Sequence, residues 1–135
     1  MTRCRWPAPA KINLMLHITG QRDDGYHELQ TIFQFIDFCD DLEFRLRDDD
    51  RIVRTCDDFE VPQDQDIIIR AANRLRALFR QQYPEHGAPL GVDISLQKNI
   101  PMGAGLGGGS SDAATTLVAL NELWQMPVSY THLRA

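Results

Sequence analysis

From Lys11 to Ile18 apolar and polar positions alternate, with Ile12, Leu14, Leu16 and Ile18 interleaved with Lys11, Asn13, Met15 and His17. A period of two predicts a strand with one apolar face, and it sets Lys11 and Asn13 together on the other face. Pro7 and Pro9 are expected to keep the segment before it extended and irregular. Gln21–Tyr26 is polar, contains Gly25 and reads as a loop. Leu29–Phe38 is rich in β-branched and aromatic residues, and Leu42–Leu46 alternates again. With Asp40 and Asp41 between them, these two runs predict a hairpin. Arg51–Cys56 predicts a further strand.

The period then changes. Ile68, Ala71, Ala72, Leu75, Leu78 and Phe79 recur at helical spacing, which predicts a helix over Asp64–Gln82. Asp64 or Asp66 can cap its start, and Pro84 with Gly87 ends it. Val92, Ile94 and Leu96 alternate with Asp93, Ser95 and Gln97 and predict another strand. A glycine run follows, and then a helix from about Ser111 to Gln125, with a stripe of Ala113, Leu117, Leu120 and Trp124 flanked by Ala114 and Val118. Strands and helices mixed without strict alternation indicate an α+β domain.

Composition narrows the function classes. At 135 residues, 43% hydrophobic and 24% charged, the chain has the makings of a globular domain. A net charge of -5 argues against non-specific nucleic-acid binding, which needs a basic face. The acidic runs Asp48–Asp50 and Asp57–Asp58 read as solvated turns. Cys4, Cys39 and Cys56 are odd in number and match no metal spacing, so free thiols in a reducing cytoplasm are expected. No stretch is long and apolar enough to predict a membrane span. His, Cys and carboxylates do not cluster at the spacing of a zinc site.

The candidate chemistry lies in the glycine run. Pro101–Ser111 reads Pro-Met-Gly-Ala-Gly-Leu-Gly-Gly-Gly-Ser-Ser, with five glycines between Gly103 and Gly109. It follows a predicted strand and opens a predicted helix. Glycine tolerates positive φ and lets the backbone come close to a ligand. Consecutive N–H groups can converge there on an anion, helped by the positive end of the helix. Ser110 and Ser111 can either cap the helix or touch a phosphate oxygen or its metal ion. Lys98 either supplies positive charge to a nucleotide or is an exposed strand-end lysine. No Gly-Lys-Ser/Thr follows the glycines, so the run is not a Walker A loop. A dinucleotide spacing can be read from Gly103, Gly105 and Gly108, but such a match comes cheaply in so glycine-rich a run. A flexible linker is the competing reading, and the well-patterned helix after the run argues against it.

On the first strand, a lysine with an amide suits a phosphorylated or hydroxylated ligand; an exposed polar strand face accounts for Lys11 and Asn13 equally simply. Tyr26 beside His27 could stack on a base and bond to its edge, or could be a core tyrosine next to a surface histidine. His17 reads as structural.

Taken together, "PAPAKINLMLHITGQRDDGYHELQTIFQFID" and "IPMGAGLGGGSSDAATTLVALNELW" resemble the 4-diphosphocytidyl-2-C-methyl-D-erythritol kinase family of the GHMP kinase superfamily. The resemblance covers Arg5 to about Pro127. It implies transfer of phosphate from ATP to the 2-hydroxyl of a small molecule carrying a cytidine diphosphate group, in the non-mevalonate route to isoprenoid precursors. Lys11 matches the family's catalytic lysine, Tyr26 and His27 the pair that holds cytosine, and Asn13 a polar residue lining the substrate site. Pro101, Met102, Gly103, Ala104, Gly105, Leu106, Gly107, Gly108, Gly109, Ser110 and Ser111 match the ATP phosphate loop. Asp66 stands near the expected adenine position, where the family commonly has asparagine. Mg2+ is implied by the resemblance alone. So is a fold like the second domain of ribosomal protein S5, with a left-handed β-α-β crossover.

Departures from the family pattern are equally legible. Its catalytic aspartate, in a Gly-Ala-Asp-Val-Pro context, and its C-terminal domain with a second glycine-rich motif are not in the sequence. Residues 1–127 therefore read as an incomplete N-terminal ATP-binding domain and 128–135 as a tail outside the pattern. Such a fragment is expected to lack turnover and to expose the apolar stripe of Ser111–Gln125. A non-catalytic nucleotide-binding module and a GHMP kinase with another acceptor are the competing functions.

Overall fold

The computed structural model describes residues 4–55 and 65–126. Asp64, Cys56, Asp57–Asp58 and the 128–135 tail lie outside the described residues. The elements run β1 (Cys4–Gln21), β2 (His27–Arg47), β3 (Ile52–Arg54), α1 (Ile67–Gln82), β4 (Gly91–Gln97) and α2 (Gly108–Leu123). The strands form one sheet in the order β1-β2-β4-β3, antiparallel except for β3 against β4. Parallel strands need a crossover, and α1 provides it. Both helices pack together over the sheet, which makes a two-layer α+β domain.

The core sits between these layers. Leu42, Phe44, Val92, Ile94 and Leu96 come from the sheet, Ile68, Ala72, Leu75 and Phe79 from α1, and Ala119, Leu120 and Trp124 from α2. Alternation in β2 and β4 sends every second residue inward, as the period of two predicts. In α1 the carboxylate of Asp66 accepts from the Ile68 N–H at 2.9 Å, so Asp66 is the cap. Its other oxygen meets Arg54, tying the end of β3 to the start of α1.

Four expectations need correction. Pro7 and Pro9 lie inside β1, which starts at Cys4. They are tolerated because β1 is an edge strand, where missing N–H donors leave no neighbour unpaired. Asp40 and Asp41 do not turn the chain, and β2 runs through them as a single strand of 21 residues. Asp41 pairs with Arg5 across the sheet at 2.7 Å, while Asp40 is buried and accepts from backbone amides. The hairpin is instead β1–β2, closed at Arg22–Tyr26. The apolar face of β1 is not what alternation predicts. Asn13 pairs with Phe33 but Met15 with Ile32, so one extra residue bulges out of β1. That bulge carries Leu16 and Ile18 onto the face of Lys11 and Asn13, opposite Thr31 and Leu29. Finally, the stripe on α2 is largely covered: Leu120 and Trp124 are in the core. The exposed apolar surface is on the hairpin, where Leu16 is 52% and Phe35 62% accessible.

The acidic run Asp48–Asp50 does more than meet solvent. Asp49 binds Arg47 through two bonds of 2.8 Å, and Asp50 accepts from the Leu90 N–H at 2.9 Å. Gly91 opens β4 there because a Cβ would lie 2.1 Å from the Asp49 carbonyl oxygen.

Leu42→Ala is expected to cost about 2–5 kcal/mol in urea unfolding, the usual cost of emptying a fully buried position. Leu16→Ala, on the open hairpin, should change stability by less than about 0.5 kcal/mol in the same measurement.

Candidate functional site

The glycine run sits at the mouth of α2. φ is positive at Gly103 (69°), Gly105 (74°) and Gly107 (69°) but not at Ala104 or Leu106. Positive φ at alternate residues is a backbone habit from which anion nests are built. Gly107 is the N-cap of α2, and no side chain caps the helix. The helix thus opens at Gly108, three residues before the expected start, and Ser110 and Ser111 lie within its first turn or so rather than at the cap. The first N–H groups of a helix have no intrahelical acceptor and are available to a ligand.

Two cavities flank the run. One, of about 470 Å3, is walled by Pro101–Ser110 together with Asp66, Leu96, Lys98 and Asp112. The other, of about 530 Å3, is walled by Lys11, Phe33, Phe35, Ser110, Ser111 and α2. Gly107 and Ser110 belong to both. Lys11 holds the partition between them. Its N–H donates to the Leu106 carbonyl at 2.9 Å and its Nζ to the Gly105 carbonyl at 3.0 Å. Its methylenes lie against Gly107, where a Cβ would sit 3.2 Å from Lys11 Cγ and Cε.

The other residues singled out from the sequence fare differently. Lys98 is near the loop, but its Nζ is bound to Asp40 at 2.6 Å and Asp112 at 3.1 Å. Its charge is already matched. Asp66 lines the first cavity with both carboxylate oxygens engaged, by Ile68 N–H and by Arg54. Asn13 accepts from the Thr31 hydroxyl at 3.2 Å on the hairpin. Tyr26 and His27 are at the hairpin's far end, Tyr26 73% exposed, and neither lines a cavity against the loop.

Sequence reasoning missed Asp40 and Asp112. Asp40 is fully buried and accepts from Asn99 N–H at 2.7 Å, Ile100 N–H at 2.8 Å and Lys98 Nζ. It thereby anchors the strand-to-loop junction. Asp112 is buried in the second turn of α2, where no donor reaches its Oδ1 and its protonated carboxyl bonds to Asp40. Burial pushes the Asp112 carboxyl up to about 7, helped by Asp40 and opposed by Lys98. Burial works against charge on Asp40 too, but bonds from Asp112, Ile100, Lys98 and Asn99 outweigh it and hold Asp40 below the usual carboxylate range. Lys98 is likewise penalised by burial, yet its two carboxylates raise it. The only sequence signal for Asp112 was its place directly after the two serines.

A family model described as "GHMP kinases N terminal domain" matches residues 66–135. The chain belongs to the GHMP kinase family. It is 55% identical over 128 residues to 4-diphosphocytidyl-2-C-methyl-D-erythritol kinases of Burkholderia ambifaria (strain MC40-6) and Burkholderia mallei (strain SAVP1), a match over 95% of this chain. It spans 41% of the length of these curated relatives. A crystal structure of 4-(cytidine 5'-diphospho)-2C-methyl-D-erythritol kinase superposes with a TM-score of 0.73 at 37% identity, over 96% of this chain and 44% of that one. Homoserine kinase from Cytophaga hutchinsonii, at 20% identity and a TM-score of 0.64 over 98% of this chain and 39% of that one, shares the fold.

Gly107→Ala is expected to destabilise the domain by about 1–2 kcal/mol in urea unfolding, since it places a side chain at positive φ against Lys11. Gly109→Ala meets open space and should be tolerated. Because Asp112 is raised from 3.8 to about 7, the native state keeps a proton that the unfolded chain has released. Its contribution to stability is therefore greatest below about pH 4 and is lost as pH rises toward 7. Asp112→Asn should flatten that fall in unfolding midpoints measured between about pH 4.5 and 7.5.

Proposed function

We propose that the chain is the nucleotide-binding part of an ATP-dependent kinase that phosphorylates the 2-hydroxyl of 4-diphosphocytidyl-2-C-methyl-D-erythritol, in the non-mevalonate route to isoprenoid precursors. One observation carries the reading: Lys11 is bonded to the glycine run that separates two cavities. A donor nucleotide in the first and an acceptor in the second would meet at Gly107 and Ser110. The names of the relatives supply the acceptor's identity.

Phosphoryl transfer depends chiefly on placing the two reactants and on countering charge that spreads over the transferring group. The N–H groups of Gly103–Ser110 do the first for the phosphate chain. Lys11 Nζ lies beside the partition, where a positive charge orients the acceptor hydroxyl and offsets the developing negative charge. Tyr26 and His27 are assigned to the cytosine end of the substrate, by stacking and by bonds to the base edge, and Asn13 to a polar group nearer the loop. At roughly 3.3 Å per residue the ten residues from Lys11 to Gln21 span roughly 30 Å if straight. Register shifts at Pro9/Lys11, Asn13/Met15 and Ile18/Gly20 are the places where bulges favour a bend that would shorten that reach.

The resemblance also implies Mg2+. Such an ion is commonly carried on substrate phosphates with one or two carboxylates. Asp40 and Asp112 at the loop are engaged by Lys98, and Asp66 by Arg54. Among the described residues no group of three or more metal-binding side chains forms. The described residues do not make a protein cage for the ion. We place residues 1–127 in the ATP-binding domain and the protein in the cytoplasm; no helix among the described residues is long and apolar enough to cross a membrane.

Binding is the test suited to a chain that matches 41% of its relatives' length. Calorimetry should find binding of ADP and, separately, of 4-diphosphocytidyl-2-C-methyl-D-erythritol. Tyr26→Ala should weaken the second by about tenfold or more, in line with about 1–3 kcal/mol for base–aromatic stacking, and leave the first unchanged. Binding of homoserine or mevalonate with none of the cytidine compound would shift the reading to another acceptor.

A further inference from the structure

The first cavity is lined by an acid that the proposed reaction does not use. Asp112 belongs to α2, with Gly107 as N-cap and Gly108 as the first helical residue. It therefore sits about one turn, or about 6 Å along the axis, behind the N–H groups assigned to phosphate. Its side chain is 3% accessible, and it forms part of the wall of the cavity that contains Gly103–Ser110. Oδ2 accepts from Lys98 at 3.1 Å, no donor reaches the buried Oδ1, and a protonated Asp112 carboxyl bonds to the neighbouring Asp40 carboxylate.

Lys98 cannot neutralise this group fully, because it is shared. Its shorter bond, 2.6 Å, goes to Asp40, which is completely buried. With both acids ionised the cluster of Asp40, Lys98 and Asp112 carries one net negative charge; with Asp112 protonated it carries none. The charged groups facing Asp112 are Lys98, after β4, and Asp40, on β2. Arg54 and Asp66 line the same cavity as a pair of their own, and Lys11 reaches the loop from β1 on the other side. None of these supplies a spare positive charge to Asp112.

We propose that Asp112 is a proton-linked positioning residue of the phosphate loop: neutral Asp112 accepts a polyanion at the mouth of α2, and ionised Asp112 opposes it. The inference rests on the loop being a phosphate site. A buried carboxylate oxygen that no donor reaches is costly as an anion, and a proton on Asp112 makes it a donor to Asp40. A phosphate chain held by the loop, in poorly screened surroundings, would raise the cost of that anion further. Nucleotide binding should then draw a proton onto Asp112. The raised Asp112 carboxyl, at about 7, puts this exchange within the neutral range.

The test is ADP binding to the chain by calorimetry from pH 6 to 8.5, repeated in buffers of different ionisation enthalpy to count protons, for the parent and for Asp112→Asn. The terminal phosphate of ADP titrates in both proteins and cancels in the comparison. The parent should lose about tenfold more affinity than the variant across that range, the size of one nearby like charge in partly screened surroundings. It should also take up a fraction of a proton near pH 7.5 that the variant does not. Equal pH profiles and equal proton counts would overturn the inference while leaving the nucleotide site standing. Absence of ADP binding at every pH would bring down the phosphate-site reading, and this inference with it. Should Asp112→Asn not fold, the Asp112 carboxyl carbon is followed by NMR in the parent. A rise in its titration midpoint on adding ADP supports the inference, and an unmoved midpoint overturns it.

Discussion

The buried contact between Asp40 and Lys98 is the constraint on which the candidate site depends. Asp40 comes from the middle of β2, Lys98 from the end of β4, and the Asn99 and Ile100 amides that Asp40 also holds are the last residues before the glycine run. Through Lys98 the same contact reaches Asp112 in α2. Both ends of a run containing five glycines are thereby fastened to one point beneath it. Glycine has the most conformational freedom to lose on ordering, so a loop this rich in it keeps one shape only if its ends are fixed. Charges buried this deeply are tolerable only when paired and bonded, as Asp40 is by Lys98 and two amides.

Lys11 completes the restraint from the opposite side. It fastens the centre of the run to the edge strand through one backbone and one side-chain bond. The residue with the greatest claim to chemistry in the proposed reaction is thus also part of what shapes the loop. Beyond it, the hairpin has no core to lie on. Leu16, Ile18, Leu29, Phe33 and Phe35 form an apolar face that leads away from Lys11 toward Tyr26, and the one-residue bulge between Asn13 and Met15 is what brings Leu16 and Ile18 into it. The aromatic edge contact of Phe33 with Phe35, at 5.9 Å between centroids, is at the end nearest the loop.

Much of the domain was legible from local patterns. Val92, Ile94 and Leu96 point inward as their alternation predicts, and α1 buries Ile68, Ala72, Leu75 and Phe79 of the stripe read from its spacing. The glycine run stands between β4 and α2, as its flanking patterns required. What misled the reading was polarity taken as position. Asp40 and Asp41 look like a turn because acids usually seek water, yet one is the most engaged group in the core and the other pairs across the sheet. Lys98 looked free for a ligand for the same reason. Pro7 and Pro9 were barred from a strand by a rule that an edge position suspends.

The sequence by itself determined the α+β character, the run of small residues able to present amides to an anion, and the motifs that mark a GHMP kinase. These follow from side-chain period and from the backbone freedom of glycine, both properties of neighbouring residues. Only the tertiary structure decided that Lys98 belongs to Asp40 and Asp112, that Asp112 is a buried acid with an oxygen no donor reaches, and that Lys11 grips the loop from across 94 residues of chain. Burial and charge pairing depend on groups far apart in sequence, so no local pattern can carry them.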